Sequence, residues 1–269
     1  MRLIMRPPSD ALRHALSEHD ERDRIDPVRA AEQHAAYVRA LEDAGVAITL
    51  LPADPNLPDA CFTWDTVLAF PHLGGGETVL LVATRPGSPS RRPEVASVVG
   101  CAQRLAPDAE IVTIAAPGTL DRGDVITYGD RVAIGISART NAGGARQLAQ
   151  LVEWFGYRAF LCPVEDRLHL ASAVTPLGAA RLIGTPSGFA SLDAAGADTV
   201  PASVERLVID EDDVVAANVL AAEGRCFVVR GFPRAVAAME RAGESVVDVD
   251  LAEFVRADGG PTCLVAPIF

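Results

Sequence analysis

Five polar side chains stand on short turns that each follow a strand-like segment: Asp65 in CFTWDT, Asp121 in GTLDRGD, His169 in DRLHLAS, Asn218 in AANVL and Cys263 in GGPTC. A thiol, an imidazole and two carboxylates are the parts of a nucleophilic hydrolysis. The thiolate attacks, the imidazole moves protons, and the acids hold a cationic substrate. Any one of these residues, taken alone, is an ordinary turn residue. Together, on successive turns, they point to a shared centre, provided that the fold brings the turns to one place.

The elements that must do so recur along the chain. Residues 27–44 read as an amphipathic helix with Pro27 in its first turn and Gly45 just past its end, followed by a strand at 47–52. The same order returns with a helix at 93–105 and a strand at 110–115, with 143–156 and 158–163, and with 233–242 and 245–251. A weaker copy places its strand at 198–203 (DTVPAS), after an ambiguous 187–196. Five copies at spacings of roughly 40 to 60 residues predict a closed radial or solenoid-like array, with equivalent turns converging at one mouth.

Composition narrows the chemistry. The 269 residues are 49% hydrophobic, enough for a large core, and no Ser/Gly/Pro linker divides them, so one domain over 1–269 is expected. The net charge of −12 argues against a nucleic-acid partner and is compatible with a small cationic ligand. All 24 basic residues are arginine, which excludes Schiff-base and lysine-dependent phosphate-loop mechanisms. The five cysteines (61, 101, 162, 226 and 263) are odd in number and form no C-x-x-C pair. That spacing predicts a reducing, cytoplasmic setting without a disulfide framework or zinc knuckle. No apolar run reaches the roughly 18 residues of a membrane span, and MRLIMRPPSD lacks a signal-peptide core, so no membrane partner is expected.

The remaining candidates carry bland readings. Cys61, Cys101, Cys162 and Cys226 lie in apolar surroundings and read as buried small hydrophobes. His14, His19, His34 and His72 read as solvated. PHLGGGE (71–77) is a glycine-rich turn with neither the lysine nor the following helix of a phosphate loop, and DEDD (210–213) reads as a solvated loop.

At the converging turns the sequence resembles the dimethylarginine dimethylaminohydrolase family of the guanidino-group-modifying (pentein) superfamily, which also holds arginine deiminases and amidinotransferases. The blocks LPDACFTWDT, TRPGSPSRRPEV, GTLDRGDV, ISARTNAGGA, RLHLASA and GGPTC occur in the family's order, from SDALRHALS near the start to PTCLV at the end. The resemblance implies an α/β fold, a pseudo-fivefold propeller of ββαβ modules. It implies Cys263 as nucleophile, His169 as general acid/base, and Asp121 and Asp65 as carboxylates that grip the guanidinium. Arg91 and Arg139 would hold the substrate's α-carboxylate, Asp59 would lie near its α-amino group, and Leu16 would belong to a lid. No metal or organic cofactor is implied, and the chain is expected as a monomer or homodimer.

The implied reaction is hydrolysis of an Nω-methylated arginine to citrulline and a methylamine through a covalent thiouronium. Three positions depart from the family pattern. Trp64 stands where the family usually carries Glu, Arg122 replaces a glycine, and Ala171 replaces a common lysine. Trp64 is expected at the substrate, where its face could stack on a cation or substituent or could simply pack. The alternatives are a deiminase-like enzyme acting on arginine or another substituted arginine, and a non-catalytic pentein used for binding. The second predicts loss of the Cys/His/Asp set, which is intact.

Overall fold

The computed structural model describes residues 1–75 and 78–268, so the end of the predicted glycine-rich turn at 71–77 lies outside the described residues. The chain opens with β1 (Arg2–Met5), α1 (Pro27–Asp43) and β2 (Ala47–Leu50). Four repeats of strand, strand, helix, strand follow. The first is β3 (Val67–Pro71), β4 (Val79–Ala83), α2 (Glu94–Leu105) and β5 (Glu110–Thr113). The second is β6 (Val125–Tyr128), β7 (Arg131–Ile136), α3 (Ala142–Trp154) and β8 (Arg158–Pro163). The third is β9 (Val174–Pro176), β10 (Arg181–Gly184), α4 (Pro186–Asp193) and β11 (Glu205–Val208). The fourth is β12 (Leu220–Ala222), β13 (Arg225–Val229), α5 (Pro233–Arg241) and β14 (Val246–Val249). After a short α6 (Ala252–Val255), β15 (Ala266–Ile268) ends the described chain.

These strands form five three-stranded sheets. In each, the first strand runs antiparallel to the second, and the second pairs in parallel with the third across the helix. The fifth sheet has the same pattern but is made by both ends of the chain. β15 pairs antiparallel with β1, which pairs in parallel with β2. The ring is therefore closed by the N-terminal segment completing the module that the C-terminal strand begins. This is the α/β pentein arrangement of ββαβ modules.

Local chemistry explains the element ends. The Asp26 carboxylate accepts from the backbone N–H of Val28 and Arg29 at 2.9 and 3.4 Å, capping α1 ahead of Pro27. Asn141 caps α3 by accepting from Gly144 N–H at 2.9 Å. A Cβ on Gly144 would lie 2.0 Å from the Thr119 carbonyl oxygen, so glycine is what lets α3 approach the turn that carries Asp121. The core is distributed between the sheets and their helices. The largest cluster, which includes Tyr37, Phe62, Phe227 and Phe254, joins the first and last segments of the chain.

Three expectations are corrected here. DTVPAS is not a strand: Pro201 has no N–H for a ladder, and the third module's outer strand is the charged, solvent-facing Glu205–Val208. The ambiguous 187–196 resolves as α4, with the Thr185 hydroxyl accepting from Gly188 N–H at 3.2 Å. DEDD is solvated only over Asp210, Glu211 and Asp212: Glu211 opens the 3-10 segment Glu211–Ala217, and buried Asp213 accepts from Arg234 at 3.1 and 3.2 Å. His34 is likewise buried rather than solvated, and burial moves its pKa down to about 4. Among the described residues, no helix is long and apolar enough to cross a membrane.

One buried bond ties helix to turn: the Tyr37 hydroxyl of α1 donates to the Pro261 carbonyl at 3.1 Å, two residues before Cys263. Tyr37→Phe is expected to destabilise the protein by about 1–3 kcal/mol, the penalty of a buried carbonyl left without its donor. A chemical-denaturation midpoint checks this, and an unchanged midpoint would show that the bond does not hold the last turn.

Candidate active site

Each module's inner strand is preceded by a 3-10 turn, and these turns meet at one end of the propeller axis. The first, Thr63–Thr66, is locked by side-chain bonds: Thr63 donates to the Ile4 carbonyl at 3.1 Å, and Thr84 donates to the Asp65 carbonyl at 2.6 Å. The second, Arg122–Asp124, follows Asp121. The third, Leu170–Ser172, follows His169, and the fourth ends at Asn218. The fifth, Thr262–Leu264, carries Cys263.

Cys263, His169, Asp65, Arg91, Arg139, Asp59 and Leu16 all line one narrow cavity. Cys263 is half-buried, whereas the other four cysteines are fully buried. Asn218 braces the nucleophile's turn. Its Oδ1 accepts from the Thr262 N–H and hydroxyl, both at 3.0 Å, and its Nδ2 lies 3.9 Å from Cys263 Sγ. A Cβ on Gly260 would approach Asn218 Oδ1 to 2.6 Å, so the second glycine of GGPTC is a steric requirement of that brace. The Asp59 carboxylate accepts from Leu16 N–H at 3.0 Å, and the Leu16 side chain stays exposed beside the cavity.

Asp121 occupies a different position from the other acids. It is fully buried and stands behind the wall, where it accepts from Gly87 N–H at 2.8 Å and meets His169 Nε2 at 3.1 Å. Its second neighbour is Arg139, 3.7 Å away. Both Asp121 oxygens are engaged in this structure, and its nearest ionic partner is the imidazole. Arg91 is engaged as well, although it lines the cavity. It is buried, donating to Asp65 at 2.6 Å, to the Phe62 carbonyl at 3.0 Å and to Glu94 at 2.9 and 3.1 Å. Arg139 keeps a freer guanidinium, with 19% of its side chain exposed.

Trp64 is not on this cavity. In this 3-10 turn, with three residues per turn, consecutive side chains diverge by about 120°. Asp65 faces the cavity, while Trp64 faces an axial channel on the far side with the guanidinium of Arg122 over its ring at 3.7 Å. Ala171, the third departure from the family pattern, lines the same channel.

The charges are closely balanced. Burial by itself would lower the His169 pKa, but Asp65, Asp121 and Asp124 outweigh it and raise it to about 9. Burial, reinforced by Asp65, pushes the Cys263 thiol up. Burial likewise raises Glu94 to about 7 and Asp124 to about 6. Burial opposes ionisation of Asp65, yet His169 and Arg91 prevail and lower its pKa. The resting site is therefore a neutral thiol beside an imidazolium, with Asp65 ionised between two cations. Asp65, Asp121 and His169 offer donor atoms within 4.8 Å of one another. A metal would need a neutral imidazole there, and the raised His169 pKa opposes that.

The sequence reading had not singled out Glu94, Asp124 or Gly123. Asp124 accepts from Leu170 N–H at 3.0 Å and from the Ser137 hydroxyl at 2.6 Å, joining the second turn to the third. Gly123 donates to Asp65 at 2.8 Å, and a Cβ on it would lie 2.5 Å from His169 Nδ1. Their signal was present in the GD of TLDRGD and the E of RRPE, which sit beside residues that had been selected.

No family model matches the chain. It is 33% identical over 262 residues to the N(G),N(G)-dimethylarginine dimethylaminohydrolase of Pseudomonas aeruginosa, covering 97% of both chains. It is 35% identical over 262 residues to the enzyme of the same name from Streptomyces coelicolor, covering 97% of this chain and 94% of the relative. The Pseudomonas aeruginosa enzyme, solved as a cysteine-to-serine mutant complexed with citrulline, superposes with a TM-score of 0.87 over 98% of this chain and 97% of that one. The N-terminal domain of a cyanobacterial arginine dihydrolase, ArgZ, shares the fold at 18% identity with a TM-score of 0.82, covering 98% of this chain and 97% of that one. Fold and site together define a pentein of the guanidino-modifying kind. Within that class, the chain belongs to the dimethylarginine dimethylaminohydrolase family.

The raised His169 pKa carries a sign. A group protonated more readily when folded contributes stability that is fully present below its unfolded pKa of about 6.5. That contribution is lost as the pH rises through about 9. Nuclear magnetic resonance of the imidazole protons should show a midpoint near 9 in the folded protein. Asp65→Asn should move it down. A midpoint at or below the free-histidine value would contradict this electrostatic account.

Proposed function

We propose that the chain is a cysteine hydrolase that converts an Nω-methylated arginine to citrulline and methylamine or dimethylamine. The observation that carries this reading is Cys263 and His169 on one cavity with ionised Asp65, inside a family whose curated relatives bear that name. A substrate guanidinium is planar and cationic, and Asp65 can hold it by charge-assisted hydrogen bonds. Arriving there, it takes the carboxylate that Arg91 now holds. Arg91 remains anchored by Glu94 and can turn an N–H toward the substrate's α-carboxylate beside Arg139. Asp59 accepts the α-amino group near Leu16.

Cation binding then supplies what the resting site lacks. A positive charge next to the half-buried thiol favours the thiolate, so Cys263 releases its proton to solvent in the complex rather than before it, His169 being protonated already. The sulfur attacks the guanidino carbon, giving a tetrahedral adduct. His169, oriented by Asp121, gives its proton to the leaving amine as the C–N bond breaks, and a thiouronium stays on Cys263. The now neutral imidazole takes a proton from water. The resulting hydroxide adds to the same carbon, and as the C–S bond breaks the adduct's hydroxyl proton passes to the sulfur, releasing the urea group of citrulline and regenerating the thiol.

Two other readings were open in the sequence. A re-specified pocket acting on arginine or another Nω-substituted arginine rested on Trp64 and Arg122, and both side chains lie off the cavity. A binding-only pentein has no use for the cysteine, the histidine and its buried carboxylate partner. Citrulline release from arginine, Nω-methylarginine, asymmetric dimethylarginine and agmatine tests all three. The methylated amino acids should turn over, and Cys263→Ser should lose at least about 10³-fold in kcat while keeping its fold. Preference for arginine would favour the deiminase-like reading. Silence on the whole panel, or activity that survives the serine substitution, would overturn the proposal.

A further inference from the structure

The axial channel on the far side of the turns carries a charge that the proposed chemistry does not use. Its volume is about 240 Å³, and the inner strands of all five modules contribute to its wall. Leu68, Phe70, Val125 and Leu220 make that wall apolar, and Arg122 is the one charged side chain on it among the described residues. The guanidinium carbon sits over the Trp64 ring, 3.7 Å from its centroid, and one N–H donates to the Val67 carbonyl at 3.3 Å. Its other N–H groups have no acceptor among the described residues. The adjacent acids are engaged elsewhere, Asp65 with Arg91 and Asp121 with His169 and Arg139. The indole N–H of Trp64 is also buried without an acceptor.

A guanidinium half-buried against an apolar wall, with its nearest acid engaged elsewhere, gains from an anion that joins it. Burial accordingly lowers the Arg122 pKa to about 9, against the opposing pull of Asp65. Stacking on Trp64 covers a face of the guanidinium and leaves its N–H edge available. That edge is a planar fork matched to two oxygens of an oxyanion.

We propose that the axial channel is a binding site for a small oxyanion, a carboxylate or a phosphate, seated on the guanidinium edge of Arg122. The site is separate from the Cys263 cavity, and the anion does not compete with substrate for Arg91 or Arg139. Its ligand reaches the channel from the opposite end of the propeller axis. Because Arg122 follows Asp121 and Trp64 precedes Asp65, the bound anion acts on the same two turns that carry the acids of the active site.

Trp64 reports on its own site once the other tryptophan is removed. Trp154 is 82% exposed, so Trp154→Phe leaves a fold with one indole in the channel. In chloride-free buffer, inorganic phosphate and acetate are titrated separately against that emission. A saturable change with either probe is expected. Acetate alone would assign a carboxylate, and phosphate alone a tetrahedral anion. Adding Arg122→Gln should abolish the change, and Arg122→Lys, which keeps charge without the planar fork, should weaken it at least about tenfold. Arg139→Gln should leave it intact. The proposal is overturned if neither probe gives a saturable change, if the change survives Arg122→Gln, or if Arg139→Gln removes it. Should Arg122→Gln fail to fold, an unaltered affinity in Arg122→Lys would overturn it equally. None of these readings depends on turnover, so they stand apart from the fate of the proposed reaction.

Discussion

Everything at the centre of this protein depends on keeping Asp65 ionised in a buried place. A carboxylate there is unfavourable unless cations face it. Arg91 supplies one at 2.6 Å, and His169 supplies another through space. Each cation is secured by a further acid, Glu94 for Arg91 and Asp121 for His169. The result is a chain of alternating charges across the cavity floor, with the thiol beside it. Such a chain is poised for a cationic substrate, because a guanidinium entering it exchanges for an existing cation instead of adding an uncompensated charge.

The scaffold makes that chain possible by geometry more than by stability. Five inner strands converge on one axis, so turns that are 40 or more residues apart along the sequence come within hydrogen-bond distance. Closure of the ring is the condition. β15 finds its partner in β1, at the other end of the chain, and Tyr37 and Asn218 fix the intervening turn from both sides. The nucleophile can sit so near the described C-terminal end because that end is not a loose tail. It is the inner strand of a sheet completed by the first residues of the chain.

The turns also separate two functions within a few ångströms. In three of them adjacent side chains serve different sides: Asp65 and Cys263 face the cysteine cavity and Asp121 backs its histidine, while Trp64, Thr262 and Arg122 line the axial channel. A substitution next to a reactive residue can therefore leave the reactive face unchanged while rebuilding the opposite one. Trp64 and Arg122 do this as a pair, each supplying the other's stacking partner.

Much of this was legible in sequence, and the limits have physical causes. Helix ends at Pro27, Pro233 and Gly45 and the repeating order of elements were readable because capping and periodicity are local. The motif residues that line the cavity were readable because their types are rare and their order is fixed. The outer strand Glu205–Val208 was missed because a solvent-facing edge strand needs no apolar alternation once its partner strand exists. Buried His34 and Asp213 were read as solvated because burial is set by neighbours distant in the chain. What the sequence by itself determined was which residue types stand on which turns, and hence the class of chemistry. Only the tertiary structure decided that Trp64 faces away from the cavity, that Asp121 serves His169, and that Arg91 is held by Asp65 and Glu94. Those outcomes turn on side-chain direction and charge pairing between segments far apart in sequence, and neither quantity exists until the ring has closed.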